Sequence, residues 1–232
     1  MASPTGLFLL LLAYIMYGAF MIRLFIHGRI WLRATVRHET YPSRPPSESC
    51  DIWARTFLDV LFFRRLFTSD KILWPGSWLF HLSFLFVILR HLRFFLEPVP
   101  DCVAALQPFG VFAGYVLLMA LASVLCIRLF SGKKRYVSYS NYFILSLILL
   151  SSLTGIVMRN FFRPDLLQVK AFSLGILTFS PEVLPSGNLF ILHFLLALLL
   201  VPYIPSHIFA APLVLLDAAR REKGLGMIMH EK

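Results

Sequence analysis

Residues 143–150 of this 232-residue chain read Phe-Ile-Leu-Ser-Leu-Ile-Leu-Leu and contain one polar side chain. The run lacks the alternation of apolar and polar residues that a strand of a membrane β-barrel requires. It lies inside the longer apolar stretch 142–158, which approaches the roughly 20 residues that a helix needs to cross a bilayer. Because backbone groups in lipid must be hydrogen-bonded within the protein, we predict a transmembrane α-helix here.

The same pattern recurs along the whole chain. The chain is 58% hydrophobic and 15% charged, whereas a soluble domain is typically about half apolar and about a quarter charged. The apolar residues gather in long stretches, and the Lys and Arg residues lie between them. We therefore predict an all-α integral membrane protein, a single domain with a bundle of about five transmembrane helices, over residues 7–22, 72–96, 109–129, 142–158 and 189–216.

The basic residues indicate how the chain is oriented. No Lys or Arg lies in residues 1–6 or 97–108, whereas eight lie between Arg29 and Lys71. The positive-inside rule predicts an N-terminus outside and a C-terminus in the cytoplasm, in the cytoplasmic (inner) membrane. The first span, with no basic residue before it, is expected to be a retained helix and not a signal peptide. The net charge of +10 is explained by basic residues in the inner loops, which face anionic membrane lipid. No nucleic-acid partner is expected.

The longest connection is the predicted inner loop 26–71. Its proline-rich stretch 41–46 favours extended chain, because proline fixes its own backbone angle and restricts the residue before it. Residues 51–65 carry apolar groups at helical spacing and end in Arg64 and Arg65. We predict an interfacial helix there, lying on the lipid surface, with a partner-docking surface as the alternative.

Four of the seven histidines fall inside or at the edge of two spans. His81 and His91 are ten residues apart in the second span, which separates them by roughly 15 Å along the helix. They cannot share one iron. His193 and His207 are fourteen residues apart in the fifth span, or roughly 21 Å along a straight helix. The members of each pair stay within one broad face of their helix but lie at two depths.

Topology predicts which histidines meet across the bundle. The second and fifth spans run in opposite directions, so His91 and His193 share the outer depth, whereas His81 and His207 share the inner depth. Two facing helices that each offer one imidazole at one depth provide the geometry of a bis-histidine haem. Because an iron with both axial positions filled has no free position for oxygen chemistry, we predict electron transfer through two haems.

Haem propionates are anionic and need cations close by. Arg90 and Arg93 flank His91, and Arg90 carries its charge into an apolar run. We predict that these two arginines contact the propionates of the outer haem, while the cations that approach the inner end are Arg64, Arg65 and Lys71. The alternative for each residue is snorkelling, in which a long basic side chain reaches the membrane surface.

Five segments, in a fixed order from the second span to the fifth, carry a family resemblance. They are 78–81 (Trp-Leu-Phe-His), 90–100 (Arg-His-Leu-Arg-Phe-Phe-Leu-Glu-Pro-Val-Pro), 135–138 (Arg-Tyr-Val-Ser), 153–159 (Leu-Thr-Gly-Ile-Val-Met-Arg) and 169–175 (Val-Lys-Ala-Phe-Ser-Leu-Gly). They resemble the membrane cytochrome b subunit of the complex associated with dissimilatory sulfite reductase. That subunit is grouped with the nitrate reductase gamma subunit and the membrane subunit of heterodisulfide reductase.

The resemblance implies a five-helix bundle with two haems b, in which His81, His91 and His193 are three of the ligands. It also implies quinol or menaquinol chemistry near the outer haem, with electrons leaving inward to a cytoplasmic iron–sulfur subunit. Such a chain is an electron-transfer subunit of a quinone-linked oxidoreductase complex of sulfur metabolism, together with further membrane and periplasmic cytochrome subunits. An iron–sulfur or zinc site within this chain is not expected, because its cysteines are scattered, at Cys50, Cys102 and Cys126.

The last ligand of the family requires a shortened fifth helix in this chain. A gapless alignment puts Ala211 at the ligand position, where it cannot bind iron, whereas deletion of one helical turn restores His207. Pro202 and Pro205 precede His207 and should bend the fifth span, because each removes a backbone donor and crowds the preceding turn. If His207 is not a ligand, the chain is a cytochrome b with one haem.

Two further alternatives remain open at this point. A haem-free channel, transporter or assembly subunit could use the same histidines to relay protons or to join helices. A nitrate reductase gamma-type subunit is the alternative within the resemblance. The absorption band of reduced haem b separates the first alternative from a cytochrome, and the partner proteins separate the second.

Overall fold

The computed structural model describes residues 4–37, 49–130, 139–180, 184–185 and 187–206. All the regular structure in these residues is helical. The α-helices are α1 (Pro4–Arg37), α2 (Ser49–Phe62), α3 (Arg64–Ser69), α4 (Leu73–His91), α5 (Asp101–Ala105), α6 (Gln107–Phe130), α7 (Tyr139–Asn160), α8 (Leu166–Leu177) and α9 (Asn188–Leu200). Two 3-10 turns follow α4 and α9, over Leu92–Phe94 and Val201–Tyr203.

Five helical segments are long and apolar enough to cross a membrane. They cover Pro4–Ile30, Leu73–Phe94, Gln107–Phe130, Tyr139–Asn160 and Asn188–Ser206. Each of them overlaps one of the predicted spans, and residues 207–216 of the predicted fifth span lie outside the described residues. The prediction of an all-helical protein with five transmembrane helices is therefore confirmed, while the orientation of the two termini stays a prediction.

Large apolar side chains are exposed along all five segments. Phe112 and Met119 of α6 are each 70% exposed, Phe8 of α1 is 59% exposed and Leu85 of α4 is 52% exposed. Water-soluble monomers rarely expose apolar surface of this extent. The outer faces of these helices therefore suit contact with the hydrocarbon core of a bilayer.

The first helix is longer than its predicted span. α1 contains 34 residues and continues to Arg37, where the sequence predicted an inner loop from residue 26. Arginine marks the end of a membrane span but is a good helix former, so it does not end the helix itself. A helix of this length extends about 51 Å, which exceeds the roughly 30 Å of a hydrocarbon core.

Contacts divide the chain into two compact units, and the first comprises residues 1–17 and 75–201. Within it, α7 packs against both α6 and α9. Membrane helices pack closely where their side chains are small, because lipid provides no hydrophobic force between them. The buried stripe of α6 has this character, with residues three or four apart at Gly110, Ala113, Leu117, Ala120, Leu121 and Val124.

Glycines mark two points where α4 and α6 meet. A Cβ atom on Gly76 would lie 3.1 Å from Cγ2 of Val124, which is closer than ordinary packing allows. A Cβ atom on Gly110 would lie within 2.8 Å of Cβ of Arg90. α4 therefore contacts α6 near both of its ends.

The connection between α7 and α9 contains α8, a short apolar helix that the sequence did not predict. The Asp165 side chain caps it by accepting a hydrogen bond from the Leu167 backbone N–H at 2.9 Å. Capping of this kind satisfies one of the unpaired donors in the first turn of a helix. The buried face of α8 and the neighbouring helices form an apolar cluster from Val169, Phe172, Phe190 and the partly buried Phe94.

Polar contacts attach α8 to the rest of the first unit. The Tyr14 hydroxyl of α1 donates a hydrogen bond to the Ile176 carbonyl oxygen at 3.1 Å. Lys170 of α8 forms an ion pair with Glu97, in the connection that follows α4. α8 therefore holds the segment that begins at the end of α4, where the candidate site lies.

The described part of the second unit comprises residues 18–37, 49–74 and 202–206. α2 and α3 lie in it, in the stretch where the sequence predicts an interfacial helix over 51–65. Phe63 separates them with a left-handed backbone angle, φ 51°. Trp74 Nε1 donates to the Phe62 carbonyl oxygen at 2.8 Å, and Arg65 pairs with Asp59 at 3.2 Å. The position of these helices at a membrane surface stays a prediction.

The prolines of the fifth span coincide with a change of helix type. Regular α-helix ends at Leu200, and residues Val201–Tyr203 form a 3-10 turn. Pro202 cannot donate a backbone hydrogen bond, so it cannot continue the α-helical ladder. The described residues end at Ser206, and His207 lies outside them.

Candidate functional site

His91 of α4 and His193 of α9 lie close together in the first unit. Their ring centroids are 6.4 Å apart, and the ring planes are inclined by 23° to each other. Among the described residues, the backbones of α4 and α9 make few close approaches, so these side chains reach across the space between the helices. The structure thus brings together the two histidines that the sequence places at the outer depth.

The separation of the rings fits one metal ion between them. A metal–imidazole bond is about 2 Å long and the ring centre lies about 1 Å behind the nitrogen, so a shared ion places the centroids about 6 Å apart. Ordinary aromatic pairs also have centroids between about 4.5 and 7 Å apart. The distance is therefore compatible with both arrangements, and the protonation of the ring nitrogens provides the next criterion.

The Nδ1 atom of His91 lies 2.6 Å from the Val87 carbonyl oxygen, one helical turn earlier. A carbonyl oxygen can only accept a hydrogen bond, so Nδ1 carries the proton and donates it. In a neutral imidazole the other nitrogen, Nε2, then keeps its lone pair. His91 therefore offers the free nitrogen that a metal ligand must have.

His193 reaches the same protonation state through a side chain. Its Nδ1 atom lies 3.1 Å from Oγ1 of Thr154 on α7. The single hydroxyl hydrogen of Thr154 is used toward a backbone carbonyl, because Oγ1 lies 2.9 Å from the Leu150 oxygen and 3.0 Å from the Ser151 oxygen. Toward His193 the hydroxyl can then only accept, so Nδ1 of His193 donates and Nε2 keeps its lone pair.

Gly155 allows the His193 ring to lie against α7. A Cβ atom at this position would lie 3.2 Å from Cε1 and 3.6 Å from Nδ1 of the ring. The first of these distances is closer than ordinary van der Waals contact, so a larger residue would push the ring away. Thr154 and Gly155 therefore together define where the imidazole of His193 sits.

Arg90 extends its side chain across α6 at Gly110. Its Cγ would lie 3.1 Å from a Cβ atom placed on that glycine. The Nε atom of Arg90 is buried and has no hydrogen-bond partner among the described residues. A buried donor without an acceptor is costly, and a bound anionic group would supply the acceptor.

Arg90 is not the only cation in this part of the unit. Arg93 and Arg159 are near enough to repel it electrostatically. The guanidinium of Arg93 also lies 4.9 Å from the centre of the Phe94 ring, a cation–π arrangement. An arginine with two further arginines near it is suited to an anionic ligand, and haem propionates are such groups.

Comparison with known proteins identifies relatives of this chain. No family model matches it. The Hdr-like menaquinol oxidoreductase cytochrome b-like subunit of Archaeoglobus profundus is 34% identical, over 72% of this chain and 59% of that protein. The subunit of the same name from Archaeoglobus fulgidus is 35% identical, over 65% of this chain and 54% of that protein. This chain is a homologue of these cytochrome b-like subunits.

The homologues confirm the predicted resemblance to a membrane cytochrome b subunit of an Hdr-like complex. Together with the five apolar helices, they identify a multi-pass membrane protein. This chain spans 59% and 54% of the lengths of the two relatives.

Of the predicted inner pair of ligands, His81 and His207, the structure describes only His81. His81 lies on α4 in the first unit, and its Nδ1 is 2.8 Å from the Ser77 carbonyl oxygen. The carbonyl can only accept, so His81 also keeps a lone pair on Nε2. His207 lies outside the described residues, and its pairing with His81 stays a prediction.

Two of the three predicted inner cations have partners of their own in the second unit. Arg65 pairs with Asp59, and the Lys71 ammonium lies 6.0 Å from the centre of the Phe67 ring. Arg64 is exposed at the start of α3. A role for these three residues toward a propionate stays a prediction.

An open cleft of about 690 Å³ lies at the α6 and α7 ends that are close to the arginines. Its polar groups include Gln107, Arg159 and the Tyr115 hydroxyl, which donates to Asn160 Oδ1 at 3.0 Å. Its apolar lining consists of Pro108, Val111 and Phe112. The cleft includes Gln107 and Pro108, at the end of the connection that follows α4, and the resemblance implies quinol chemistry near the outer haem.

Sequence reasoning did not identify three of these positions, Thr154, Gly155 and Gly110. Thr154 and Gly155 lie within the segment that carries the family resemblance, but no role was assigned to them. Their contacts with His193 depend on how α7 packs against α9, which spacing within one helix does not reveal. Gly110 could have been suspected from its place in the small-residue stripe of α6.

Proposed function

We propose that this chain is a di-haem cytochrome b subunit that exchanges electrons between the menaquinone pool and a cytoplasmic iron–sulfur partner. The observation that carries the proposal is the pair His91 and His193. Their rings are 6.4 Å apart, and the hydrogen bond at each Nδ1 leaves each Nε2 with a lone pair. The relatives are named as cytochrome b-like subunits of menaquinol oxidoreductases, which supports the same assignment.

The side chains of the outer site hold a haem b in a defined way. His91 and His193 would bind the iron of a haem b through their Nε2 atoms, which would leave no position open for oxygen. A bound haem b supplies reversible one-electron transfer at this site. The Val87 carbonyl and the Thr154 hydroxyl keep the two imidazoles oriented by accepting their Nδ1 protons.

Arg90 and Arg93 neutralise the propionates of the outer haem. The buried Nε of Arg90 lacks an acceptor among the described residues, and a propionate oxygen provides one. Charge-assisted hydrogen bonds of this type are stronger than neutral ones. Arg93 keeps its guanidinium near the Phe94 ring and adds a second positive charge.

His81 and His207 hold the second haem at the inner depth. His81 stands ten residues before His91 on α4, which places it roughly 15 Å away along the axis. This spacing allows electrons to cross the membrane in two steps. The hydrogen bond from Nδ1 of His81 to the Ser77 oxygen gives it the same protonation state as the two outer ligands.

The open cleft beside the arginines admits the quinol. Its apolar side chains Val111 and Phe112 suit the ring and tail of a quinol, while Gln107 offers a hydrogen-bonding group for a ring oxygen. Ligand sites commonly combine a mainly apolar lining with a few polar groups. The cleft is open and its lining residue Phe112 is 70% exposed, so a lipid-soluble substrate can enter it.

The electrons leave toward the cytoplasm, to an iron–sulfur subunit of an Hdr-like complex of sulfur metabolism. The sulfite reductase-associated complex is the favoured type, with further membrane and periplasmic cytochrome subunits. A nitrate reductase gamma-type subunit is the alternative. Metal analysis of the complex purified in mild detergent separates them, since iron without molybdenum supports the first and molybdenum supports the second.

A reduced-minus-oxidised spectrum of the purified chain tests the proposal. Addition of a menaquinol analogue should produce the absorption band of reduced haem b, with about two haems per chain. Protein without this band would contradict the proposal and favour a haem-free transporter or assembly subunit, in which the histidines relay protons or join helices.

A further inference from the structure

Thr154 is a buried residue of α7 in the first unit, and its side chain contacts His193 of α9. The residue is 8% exposed, and its hydroxyl bonds to carbonyl oxygens of its own helix at 2.9 Å and 3.0 Å. Back-bonding of this kind is common for serine and threonine in apolar helices and carries no function by itself. The contact of 3.1 Å between Oγ1 and Nδ1 of His193 is additional to it.

The hydrogen-bond partner of His193 differs in kind from those of the other two described ligands. Nδ1 of His81 and Nδ1 of His91 donate to backbone carbonyls of their own helix. Nδ1 of His193 donates to a side chain of a different helix. This interaction therefore depends in part on the residue type at position 154, whereas the partners of His81 and His91 are backbone oxygens.

We propose that Thr154 is a positioning residue that orients His193 and lowers the reduction potential of the haem that His193 binds. The inference rests on the proposed function, because it requires a haem between His91 and His193. The hydroxyl accepts a hydrogen bond from Nδ1–H, which raises the basicity of the imidazole toward the iron. A more basic axial ligand stabilises the oxidised iron and so lowers the potential.

Gly155 supports the same role from the adjacent position. A Cβ atom there would lie 3.2 Å from Cε1 of His193, so the ring rests directly on the α7 backbone. The hydrogen bond at Nδ1 and the close approach of Gly155 at Cε1 therefore act on neighbouring atoms of the ring. Small residues at both positions are needed for this arrangement.

The backbone oxygen of Ser151 also lies near the His193 ring. It is the competing acceptor, because it could receive the Nδ1 proton if the Thr154 hydroxyl were absent. The inference therefore makes a specific claim, that the hydroxyl and not this carbonyl sets the properties of His193. Replacement of the hydroxyl separates the two acceptors.

Potentiometric titration and low-spin EPR of the purified chain test this claim with Thr154→Val, which removes the hydroxyl at nearly constant shape. The haem content should be retained, the midpoint potential of one haem should rise, and the EPR signal of that haem should shift. Thr154→Ser should restore both properties, because serine keeps the acceptor. Thr154→Cys should raise the potential by less than valine does, because sulfur accepts weakly.

Ser173→Ala is the matched control. Ser173 is a buried residue whose hydroxyl back-bonds to the Val169 oxygen at 2.8 Å, so its removal reproduces the loss of back-bonding without touching a predicted ligand. It should leave both potentials unchanged.

The outcomes separate the inference from the proposed function. A wild-type chain without haem overturns both of them. A wild-type chain with haem, in which Thr154→Val changes neither potential nor EPR signal, overturns the inference alone. Equal shifts in Thr154→Val and Ser173→Ala also overturn it, because general loss of back-bonding then explains the effect. Thr154→Val could lose its haem altogether. In that case the test compares the potentials of the wild type, Thr154→Ser and Thr154→Cys. A higher potential in Thr154→Cys alone supports the inference, and equal potentials in all three overturn it.

Discussion

The side chain of Arg90 occupies the place that a Cβ atom would take at Gly110. Such an atom would lie 2.8 Å from Cβ and 3.1 Å from Cγ of Arg90. The arginine stem and the α6 backbone are therefore in direct contact, and this contact fixes where the guanidinium enters the unit. A glycine at this one position is what allows a charged side chain to cross an apolar helix interface.

Gly110→Ala should therefore displace Arg90 and destabilise the protein. Overpacking of a close contact typically costs about 1–3 kcal/mol, and thermal unfolding of the purified chain measures the loss. Gly114→Ala, on the same helix, is the matched control, since nothing lies within 4 Å of a Cβ atom there. Equal stability of the two variants would contradict the contact between Arg90 and Gly110.

Arg90→Gln should lower the potential of the outer haem. Removal of a positive charge favours the more positive, oxidised form. A unit charge about 10 Å away in an effective dielectric of about 20 contributes about 1.7 kcal/mol, which corresponds to tens of millivolts for one electron. Potentiometric titration measures the change, with Arg163→Gln on an exposed arginine as control. An unchanged potential, or the same shift in the control, would argue against Arg90 as a propionate partner.

The five spans were readable from the sequence because each depends on the local run of apolar residues. The proximity of His91 and His193 also followed from the sequence. The spacing of the histidines along two antiparallel spans determines which of them share a depth. Spacing within one helix did not reveal Thr154, Gly155 and Gly110, whose roles arise from contacts between helices. α8 was missed because a 12-residue apolar helix is too short to register as a span.

His81→Ala and His207→Ala should each remove the inner haem. Each variant loses one axial ligand, so the haem content should fall from about two per chain to about one, and the same potential should disappear from both titrations. Pyridine haemochrome assays measure the content, and His27→Ala on α1 is the control. Full haem content in His207→Ala together with a loss in His81→Ala would remove His207 from the ligand set.

Gln107→Ala should slow quinol oxidation without changing the haem content. The loss of one hydrogen bond of about 0.5–1.5 kcal/mol lowers the rate about 2- to 10-fold. Stopped-flow reduction of the haem by a menaquinol analogue measures the rate. Gln168→Ala, on an exposed residue of α8, is the matched control. Equal rates in the two variants would place the quinol outside the cleft.

Haem content in the variants His91→Ala, His193→Ala and the double variant tests the central claim most directly. If the two histidines bind one iron, each single variant should lose about one haem of two, and the double variant should lose no more than either single variant. Full haem content in the single variants, or a larger loss in the double variant than in either one, would contradict a haem held between His91 and His193.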